Sequence, residues 1–458
     1  MYRIVIVGGG LAGLAAAWEL TSTPGVAVTV LESTDRVGGK LRQEIIGGHL
    51  VDVGAESMLA TRPEARALIA EIGAGHLIVA PATTAACVWS RGALHPMPPR
   101  SLMGIPRQPA DAAGILSPDE VAQVAAYQPL PPLTGDTSVG DYLAAAFGPA
   151  LVDRLVEPLL GGVYAGQSRQ LSLAAALPTI FAKAVAGESI LPPAEGAQPP
   201  VGSPFLGLTG GVGTLPTLLA DAIREREGVI RTGVTVRALG RIAAGWRLTC
   251  GPVPEPEVIE ADAILIATPP PSARRLLAPQ APDAAQVLAG IGLASMAVAT
   301  FAVRSDEWPP APGSGFLVPP IEGRAIKAST FSSAKWGWLA ETIPDLTYVR
   351  ASLGRAGEEA MLQRSDRELL DFAWRDLGDI LGADRPSPIA THVQRWGGGL
   401  PQYAVGHLDR IALLRKEIDE LPGVEVAGAA YEGVGIPAVI GGARAAAQRL
   451  LGAAGLRD

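Results

Sequence analysis

The chain has 458 residues, of which 48% are hydrophobic and 18% charged, and its mean hydropathy is +0.27. This length predicts two or three domains, and the composition suits large buried surfaces or an apolar ligand cavity. The net charge of −8 argues against a nucleic-acid partner, because phosphate binding needs clustered Lys and Arg. Cys87 and Cys250 show no pairing pattern, which favours a reducing compartment and a cytoplasmic location.

A glycine-rich turn lies between the predicted strand Tyr2–Val7 and a helix-forming run that begins at Leu14. Three glycines in this turn have the G-x-G-x-x-G spacing, namely Gly8, Gly10 and Gly13. In a dinucleotide-binding turn the first glycine permits the tight bend and the second lets a pyrophosphate approach the backbone. The third allows close packing of helix on strand. The helix N-terminus adds N–H groups and the positive end of its dipole.

A second predicted strand, Val26–Leu31, is followed directly by an acidic residue, Glu32. A carboxylate in this position accepts hydrogen bonds from the diol of a ribose. The alternative is an ordinary glycine-rich turn beside a surface glutamate. The combination of strand, turn, helix, second strand and acid favours a Rossmann-type dinucleotide site.

Residues 36–40 read Arg-Val-Gly-Gly-Lys and place two more glycines and two cations beside this site. A second group of backbone N–H donors with flanking cations suits an extended diphosphate, which favours FAD over NAD. Residues 54–57 form another small-residue turn after a short strand. For Arg36 and Lys40 alone a solvated charged turn is the better interpretation, but the series as a whole predicts an FAD site.

Further elements follow along the chain. A short hairpin is predicted around Arg91 and Gly92. Residues 187–204 are dense in Pro, Gly and Ala and predict a flexible loop. Apolar periodicity predicts helices over residues 111–126, 138–160 and 171–185, the last bent by Pro178.

Strands of the buried parallel type recur at residues 262–268 and 424–428, and strand-rich sequence fills residues 295–353. Because Rossmann-like pieces lie at the start, middle and end of the chain, we expect a discontinuous cofactor domain. The predicted fold is α/β (α+β overall), with a Rossmann-type FAD-binding domain, a mixed-sheet substrate domain and a helical subdomain. The predicted segments are 1–75, 205–270 and 395–458 for the FAD-binding domain, 76–100 and 271–394 for the substrate domain, and 101–204 for the helical subdomain.

The most apolar later stretch, residues 287–303, approaches the length of a membrane span. Gly290 and Gly292 interrupt it, and residues 296–303 have the pattern of a fully buried strand. A strand is therefore the preferred prediction. Peripheral contact with the inner face of a membrane stays open.

Together these motifs resemble those of the monoamine oxidase and protoporphyrinogen oxidase superfamily over essentially the whole chain. The matching positions are residues 8–13, Glu32, residues 36–39, residues 52–54 and residues 429–437. Residues 335–358 and 401–407 resemble the bacterial, Gram-positive-type branch of porphyrinogen oxidases. The resemblance implies oxidation of coproporphyrinogen III to coproporphyrin III in haem biosynthesis, with protoporphyrinogen IX as the alternative substrate.

The resemblance also implies which residues line FAD. Val234 would reach the adenine end through its backbone, and Ala429, Val434, Gly435 and Ile436 would lie near the isoalloxazine. The helix after residues 433–437 could then stabilise negative charge on reduced flavin through its N-terminus. The remaining predicted cofactor residues are Gly8, Gly9, Gly10, Leu11, Ala12, Gly13, Glu32, Ser33, Arg36, Gly39, Lys40, Gly54, Ala55, Glu56 and Ser57.

The implied reaction removes six electrons as three hydride equivalents, and molecular oxygen reoxidises FAD with release of hydrogen peroxide. Pyrrole N–H groups can lose protons to water, so no catalytic base is required and no catalytic residue is assigned. The four propionates of coproporphyrinogen call for cations at the cavity mouth. The cation candidates are Arg62, which is preferred, Arg169, Lys183 and Lys335.

Two residues of the family motif, Tyr403 and His407, are added as substrate candidates, although a structural hydrogen bond is the favoured role for His407. In plant protoporphyrinogen oxidases an arginine before the first aromatic-rich strand holds a propionate. The corresponding residues 83–89 contain no cation, which favours a different grip on the substrate.

Several alternatives remain at this stage. An amine oxidase would share the fold, but many of those enzymes attach FAD through a cysteine near the C-terminus, and that region has none. A carotenoid-type desaturase would suit the apolar composition. A GDP-dissociation-inhibitor-like chaperone of lipids and proteins is the non-enzyme alternative, and it lacks a complete flavin fingerprint. No metal motif occurs, and a transient contact with a downstream haem-pathway enzyme is an open expectation.

Overall fold

The computed structural model describes residues 1–99, 101–191, 203–382 and 386–456. The predicted loop at residues 187–204 therefore lies mostly outside the described residues. The strands are β1 (Tyr2–Val7), β2 (Val26–Leu31), β3 (Gln43–Ile46), β4 (His49–Asp52), β5 (Met58–Leu59), β6 (Ile78–Val79), β7 (Cys87–Ser90), β8 (Ala93–Pro96), β9 (Phe205–Leu208), β10 (Val229–Arg231), β11 (Val236–Ile242), β12 (Gly245–Cys250), β13 (Glu257–Ala261), β14 (Ala263–Ile266), β15 (Leu293–Arg304), β16 (Gly315–Leu317), β17 (Ile326–Phe331), β18 (Leu346–Leu353), β19 (Ala390–Pro401) and β20 (Val424–Val426).

The helices come between and after these strands, and short 3-10 turns complete the chain. They are α1 (Leu11–Leu20), α2 (Glu64–Glu71), α3 (Pro118–Ala125), α4 (Val139–Phe147), α5 (Pro149–Leu151), α6 (Glu157–Tyr164), α7 (Leu173–Ala176), α8 (Pro178–Ala186), α9 (Leu215–Glu225), α10 (Pro270–Leu277), α11 (Pro282–Ala289), α12 (Ser332–Lys335), α13 (Gly337–Thr342), α14 (Asp366–Leu381), α15 (His407–Asp419) and α16 (Ile436–Ala453).

A parallel sheet with the order β10-β2-β1-β14-β20 forms the first layer. Alternate residues of its central strand β1 point to opposite faces, as the strand period of two requires. Ile4 and Ile6 pack against α1, α9 and α16. Val5 and Val7 pack against α10, α11 and the small sheet β11-β12-β13. This doubly covered parallel sheet is the predicted Rossmann-type unit.

A mixed sheet with the order β19-β15-β18-β17-β16-β7-β8, here called the large sheet, forms the second unit. Its outer face packs on α14, where Phe301, Phe331 and Val349 meet Leu369 and Leu377. The face opposite α14 is called the inner face. Strand β15 takes up most of the apolar run at residues 287–303, which confirms a buried strand there. Across the described ranges, no helix has the length and apolarity needed to cross a membrane.

The helices α3 to α8 pack around a separate core that includes Phe147, Leu155 and Leu160. Residues 138–160 are not one continuous helix, as predicted, because α4 ends at Gly148, whose φ of +90° lies in the left-handed region. Pro149 then starts α5, and a π-helical turn joins it to α6. The predicted helix at residues 171–185 is likewise divided before Pro178.

A shorter helix, a hairpin and a domain boundary can also be compared with the sequence prediction. Only Pro118–Ala125 of the predicted helix at residues 111–126 is α-helical, because Ser117 caps the helix with Glu120 in a capping box. The hairpin around Arg91 and Gly92 is present as β7 and β8. Strand β19 crosses residue 395, so the boundary predicted there falls inside the large sheet. The division into three domains otherwise stays a proposal.

Candidate flavin and substrate site

The turn after β1 is built almost entirely from backbone. Gly8 N donates to Leu31 O at 2.8 Å and thereby ties the turn to β2. A Cβ on Gly13 would lie 1.9 Å from Gly8 O, so the close approach of α1 to the turn requires glycine there. A Cβ on Gly10 would meet no heavy atom within 4 Å, which leaves open space in front of the N-terminus of α1.

Glu32 holds this turn from the side. Its Oε2 accepts the N–H of Gly9 at 2.7 Å, and its Oε1 accepts the N–H and hydroxyl of Thr34, each at 2.8 Å. Val234 N donates to Glu32 O at 2.8 Å, which places the predicted adenine-end residue directly beside the acid. Ser33 Oγ also donates to Oε1 at 3.3 Å, so the free lone pair is on Oε2, which among the described residues accepts only Gly9 N and can take a ribose hydroxyl.

The second glycine turn packs on the first. Gly38 N donates to Gly9 O at 2.8 Å, and a Cβ on Gly39 would lie 3.3 Å from the Cα of Gly10. The guanidinium of Arg36 donates to Val37 O at 3.2 Å and to Gly39 O at 2.9 Å. Arg36 therefore closes its own turn through backbone carbonyls, in addition to any role it has toward a diphosphate.

Lys40 and Gly54 bring the third predicted segment to the same place. A Cβ on Gly54 would lie 2.0 Å from Lys40 O, so these two segments of the chain are in contact through their backbones. Lys40 Nζ donates to Gly399 O at 2.5 Å, and burial lowers its pKa. Trp396 Nε1 donates to Val53 O at 3.2 Å and ties the end of β19 to this segment.

Glu56 is the centre of a cluster of buried charge, and its side chain is only 10% exposed. It accepts Lys335 Nζ at 2.8 Å, Arg350 Nη1 at 2.7 Å and Ser332 Oγ at 2.9 Å. Arg350 Nη2 also donates to Gly54 O at 2.6 Å. Burial opposes ionisation of Glu56, but Lys335 and Arg350 outweigh it and lower its pKa to about 2. We call Glu56, Ser332, Lys335 and Arg350 the Glu56 cluster.

Asp52 lies next to this cluster and caps the start of α9. It accepts Val212 N at 2.8 Å and Gly213 N at 2.9 Å, which are N–H groups of the turn entering that helix. Burial raises its pKa to about 6, although the bond from Gly213 opposes the shift. A cavity of about 20 Å³, roughly the size for one water molecule, separates Asp52 from Glu56 and Arg350.

The C-terminal segment supplies the other end of the predicted flavin site. Ala427 N donates to Ile266 O, so the loop after β20 starts beside the end of β14. Tyr403 Oη donates to Ala429 O at 2.5 Å and stacks on His407 with ring centroids 4.0 Å apart. Gly435 is the N-cap of α16, whose N-terminus lies at the same edge of the parallel sheet as that of α1.

These segments fit FAD. The ends of β1, β2, β14 and β20 share one edge of the parallel sheet, where two helix N-termini supply positive dipole ends to an anionic ligand. The open space at Gly10 provides the close backbone approach that a pyrophosphate needs. Each predicted cofactor segment is joined to its neighbour by the contacts above, but the role of each single residue stays a prediction.

The inner face of the large sheet carries a row of partly exposed residues. Directly paired residues share a face, and Val298, Ser352, Ala328 and Leu317 are paired in succession across β15, β18, β17 and β16. Met296 lies two residues before Val298 and so shares that face. The outer-face neighbours of these residues are buried. We call Met296, Leu317, Ala328 and Ser352 the inner strip, since all four are partly exposed.

Two other parts of the molecule border the inner strip. A Cβ on Gly162 of α6 would lie 3.9 Å from Leu317 Cδ2, and the neighbouring Val163 is 44% exposed. From the other side, Arg350 of β18 reaches Gly54 O at the predicted flavin turn. A molecule between α6 and residues 54–57 would therefore contact the inner strip.

The predicted substrate residues fall into different surroundings. Lys335 forms an ion pair with Glu56. Arg62 pairs with Glu64 and Arg169 with Asp153, and both arginine side chains are more than two-fifths exposed, at 45% and 44%. Lys183 donates to Ser189 O. None of these contacts tests a role toward substrate, so that role stays a prediction.

Tyr403 and His407 are buried, at 3% and 1% exposure. Burial lowers the pKa of His407 to about 4, so the ring is neutral near pH 7. The stacked pair supports the loop at Ala429, and the structural hydrogen bond favoured for His407 stays a prediction.

Residues 11–451 match the family model described as flavin-containing amine oxidoreductase. The chain belongs to this family. The coproporphyrinogen III oxidase of Mycobacterium leprae is 36% identical over 454 residues, covering 97% of each chain. That of Bacillus subtilis is 30% identical and also covers 97% of each chain. A solved structure from Exiguobacterium, assigned as a protoporphyrinogen oxidase, is 32% identical with a TM-score of 0.85 and covers 98% of each chain.

Family membership confirms the predicted superfamily, the Rossmann-type fold, the FAD cofactor and the flavin-dependent oxidase activity. The chaperone alternative thereby loses its support. Sequence reasoning missed two buried cations of the large sheet, Lys327 and Arg350. Each is the single charged residue of an otherwise uncharged strand, and this pattern could have indicated a buried charge that needs a partner.

Proposed function

We propose that this flavin-dependent oxidoreductase oxidises coproporphyrinogen III to coproporphyrin III with molecular oxygen as the acceptor. The observation that carries the proposal is the near full-length similarity, at 36% and 30% identity, to two enzymes named coproporphyrinogen III oxidase. In balanced form, one porphyrinogen and three oxygen molecules give one porphyrin and three molecules of hydrogen peroxide. Bound FAD would accept the hydride equivalents.

The inner strip suits a tetrapyrrole. Met296, Leu317 and Ala328 offer apolar contact to a macrocycle, and α6 borders the strip at Leu317. An extended apolar surface with a few polar groups is the usual composition of a small-molecule site. Because this surface adjoins residues 54–57, a macrocycle bound there would lie next to the predicted flavin turn.

Neither His407 nor Glu56 is placed to accept a proton from the macrocycle. His407 is neutral but buried against Tyr403, and Glu56 stays ionised within its own ion pairs. This supports loss of the pyrrole protons to water while the protein orients the macrocycle and excludes bulk solvent. Contacts with a membrane surface or a downstream enzyme of the haem pathway remain expectations.

The test is turnover by the purified holoenzyme. With coproporphyrinogen III we expect oxygen uptake, three equivalents of peroxide and the appearance of porphyrin fluorescence, with a larger kcat/KM than for protoporphyrinogen IX. Primary amines should give no oxygen uptake. Faster turnover of protoporphyrinogen IX would favour the alternative substrate, and activity on amines without activity on porphyrinogens would overturn the proposal.

A further inference from the structure

A second buried lysine, Lys327, lies beside the inner strip. It sits on β17 at a register shift between Ile326, which is part of the core against α14, and Ala328 of the inner strip. Lys327 is 4% exposed. Its Nζ lies 4.0 Å from Sδ of Met296, so the side chain reaches the inner face. A thioether sulfur is only a weak hydrogen-bond acceptor.

The charges near Lys327 do not balance. Arg355 is also buried, at 6% exposure, and its guanidinium donates to Val318 O at 3.1 Å and to Glu358 Oε2 at 3.3 Å. Glu358 is the acid of this group, and its side chain is 44% exposed. Among the described residues no carboxylate lies within 4 Å of Lys327 Nζ. Burial, followed by the charge of Arg355, lowers the pKa of Lys327 to about 7.

A buried ammonium without a counter-charge is costly, so such a lysine either loses its proton or needs an anion brought by a ligand. The inner strip is the place where the apolar surface of a macrocycle would lie. Carboxylates at the rim of that macrocycle would then come within reach of a lysine that contacts Met296. Coproporphyrinogen III carries four propionates, whereas protoporphyrinogen IX carries two propionates and two vinyl groups.

We propose that Lys327 binds a propionate of the tetrapyrrole and thereby favours coproporphyrinogen III over protoporphyrinogen IX, an inference that rests on the proposed function. The bound carboxylate provides the counter-charge that the fold omits. Arg355 lowers the pKa of Lys327 through its charge without needing to touch the substrate, because its guanidinium is held by Val318 O and Glu358.

Lys327→Met tests this inference, since methionine keeps the length of the side chain and removes the charge. Loss of one charge-assisted hydrogen bond should raise KM for coproporphyrinogen III about 10-fold to 100-fold, with a much smaller change in kcat. The tetramethyl ester of coproporphyrinogen III lacks carboxylates, so its kinetics should not change. Lys416→Met, at an exposed lysine in the last turn of α15, is the matched control.

The outcomes separate the two proposals. If wild type does not oxidise coproporphyrinogen III, the proposed function and this inference both fail. If wild type is active but Lys327→Met changes neither KM nor the preference over protoporphyrinogen IX, only the propionate assignment fails. Equal losses on the tetra-acid and its ester would show a purely structural role and also overturn it. Should Lys327→Met not fold, Lys327→Gln provides the same removal of charge, and Lys327→Arg should retain KM within a few-fold.

Discussion

Lys327 and Lys335 are eight positions apart in the chain, yet their surroundings differ completely. Lys335 ends α12 and donates to Glu56 at 2.8 Å within the Glu56 cluster, where Arg350 and Ser332 donate to the same carboxylate. Lys327 on β17 has Met296 Sδ at 4.0 Å and a neighbouring cation, Arg355. Lys335 has its counter-charge inside the protein, and Lys327 does not.

The difference shows that the role of a buried charge depends on the charged groups around it. The Glu56 cluster joins the predicted flavin turn to the large sheet through Gly54 O and Glu56, so it holds two units in register. Lys335 and Arg350 both contact the Glu56 carboxylate, and the adjoining Asp52 carboxylate also interacts with Arg350, so the cluster is a weak candidate for binding an acidic ligand. The unbalanced charge at Lys327 costs folding free energy, and substrate binding would recover that cost.

The largest expected effect is on the Glu56 cluster. Glu56→Gln leaves Lys335 and Arg350 buried without a carboxylate and should lower the free energy of unfolding by about 3–5 kcal/mol. Urea unfolding of the holoenzyme measures the loss. Asp221→Asn removes the carboxylate of the exposed pair with Arg224 and should cost less than about 1 kcal/mol. Equal effects of the two substitutions would mean that the cluster contributes no more than a surface pair.

The two lysines should respond in opposite directions. Lys335→Met removes a charged hydrogen bond to Glu56 and should lower the free energy of unfolding by roughly 1.5–3 kcal/mol. Lys327→Met removes an unbalanced buried charge and should raise it by about 1 kcal/mol. The same urea series without substrate measures both. Destabilisation by Lys327→Met of the size seen for Lys335→Met would contradict the contrast drawn between them.

The smallest expected effect is a pH dependence that Lys327 alone confers. Burial and then Arg355 lower its folded pKa from 10.5 to about 7. Between these values the unfolded chain binds more protons, so the free energy of unfolding should rise with pH. Arg355 and Glu358 are the charged groups next to Lys327, and both are present in wild type and in Lys327→Met. Between pH 7 and 9 the advantage of Lys327→Met over wild type should therefore shrink, and an advantage that stays constant would place the folded pKa of Lys327 above about 9.

Local sequence was sufficient to predict the nucleotide end of the molecule. Gly13 has to be glycine because a Cβ there would lie 1.9 Å from Gly8 O, and such a requirement recurs wherever this turn is made. Glu32 was found because it directly follows a strand. The helix breaks at Gly148 and before Pro178 were less visible, since apolar periodicity continues across both positions.

Long-range contacts were beyond sequence reasoning. Lys335 was predicted as a cation for the substrate, but its partner Glu56 lies 279 residues away along the chain and could not be named. Arg350 and Lys327 were visible only as charges within apolar strands, and nothing in the local pattern distinguishes the paired one from the unpaired one.

The sequence by itself therefore determined the dinucleotide turn, the FAD cofactor and the family, because these depend on backbone shape, which short motifs specify. The tertiary structure decided which buried charges neutralise one another and which is left over. That outcome depends on distances between strands far apart in sequence, and the register of the large sheet sets those distances.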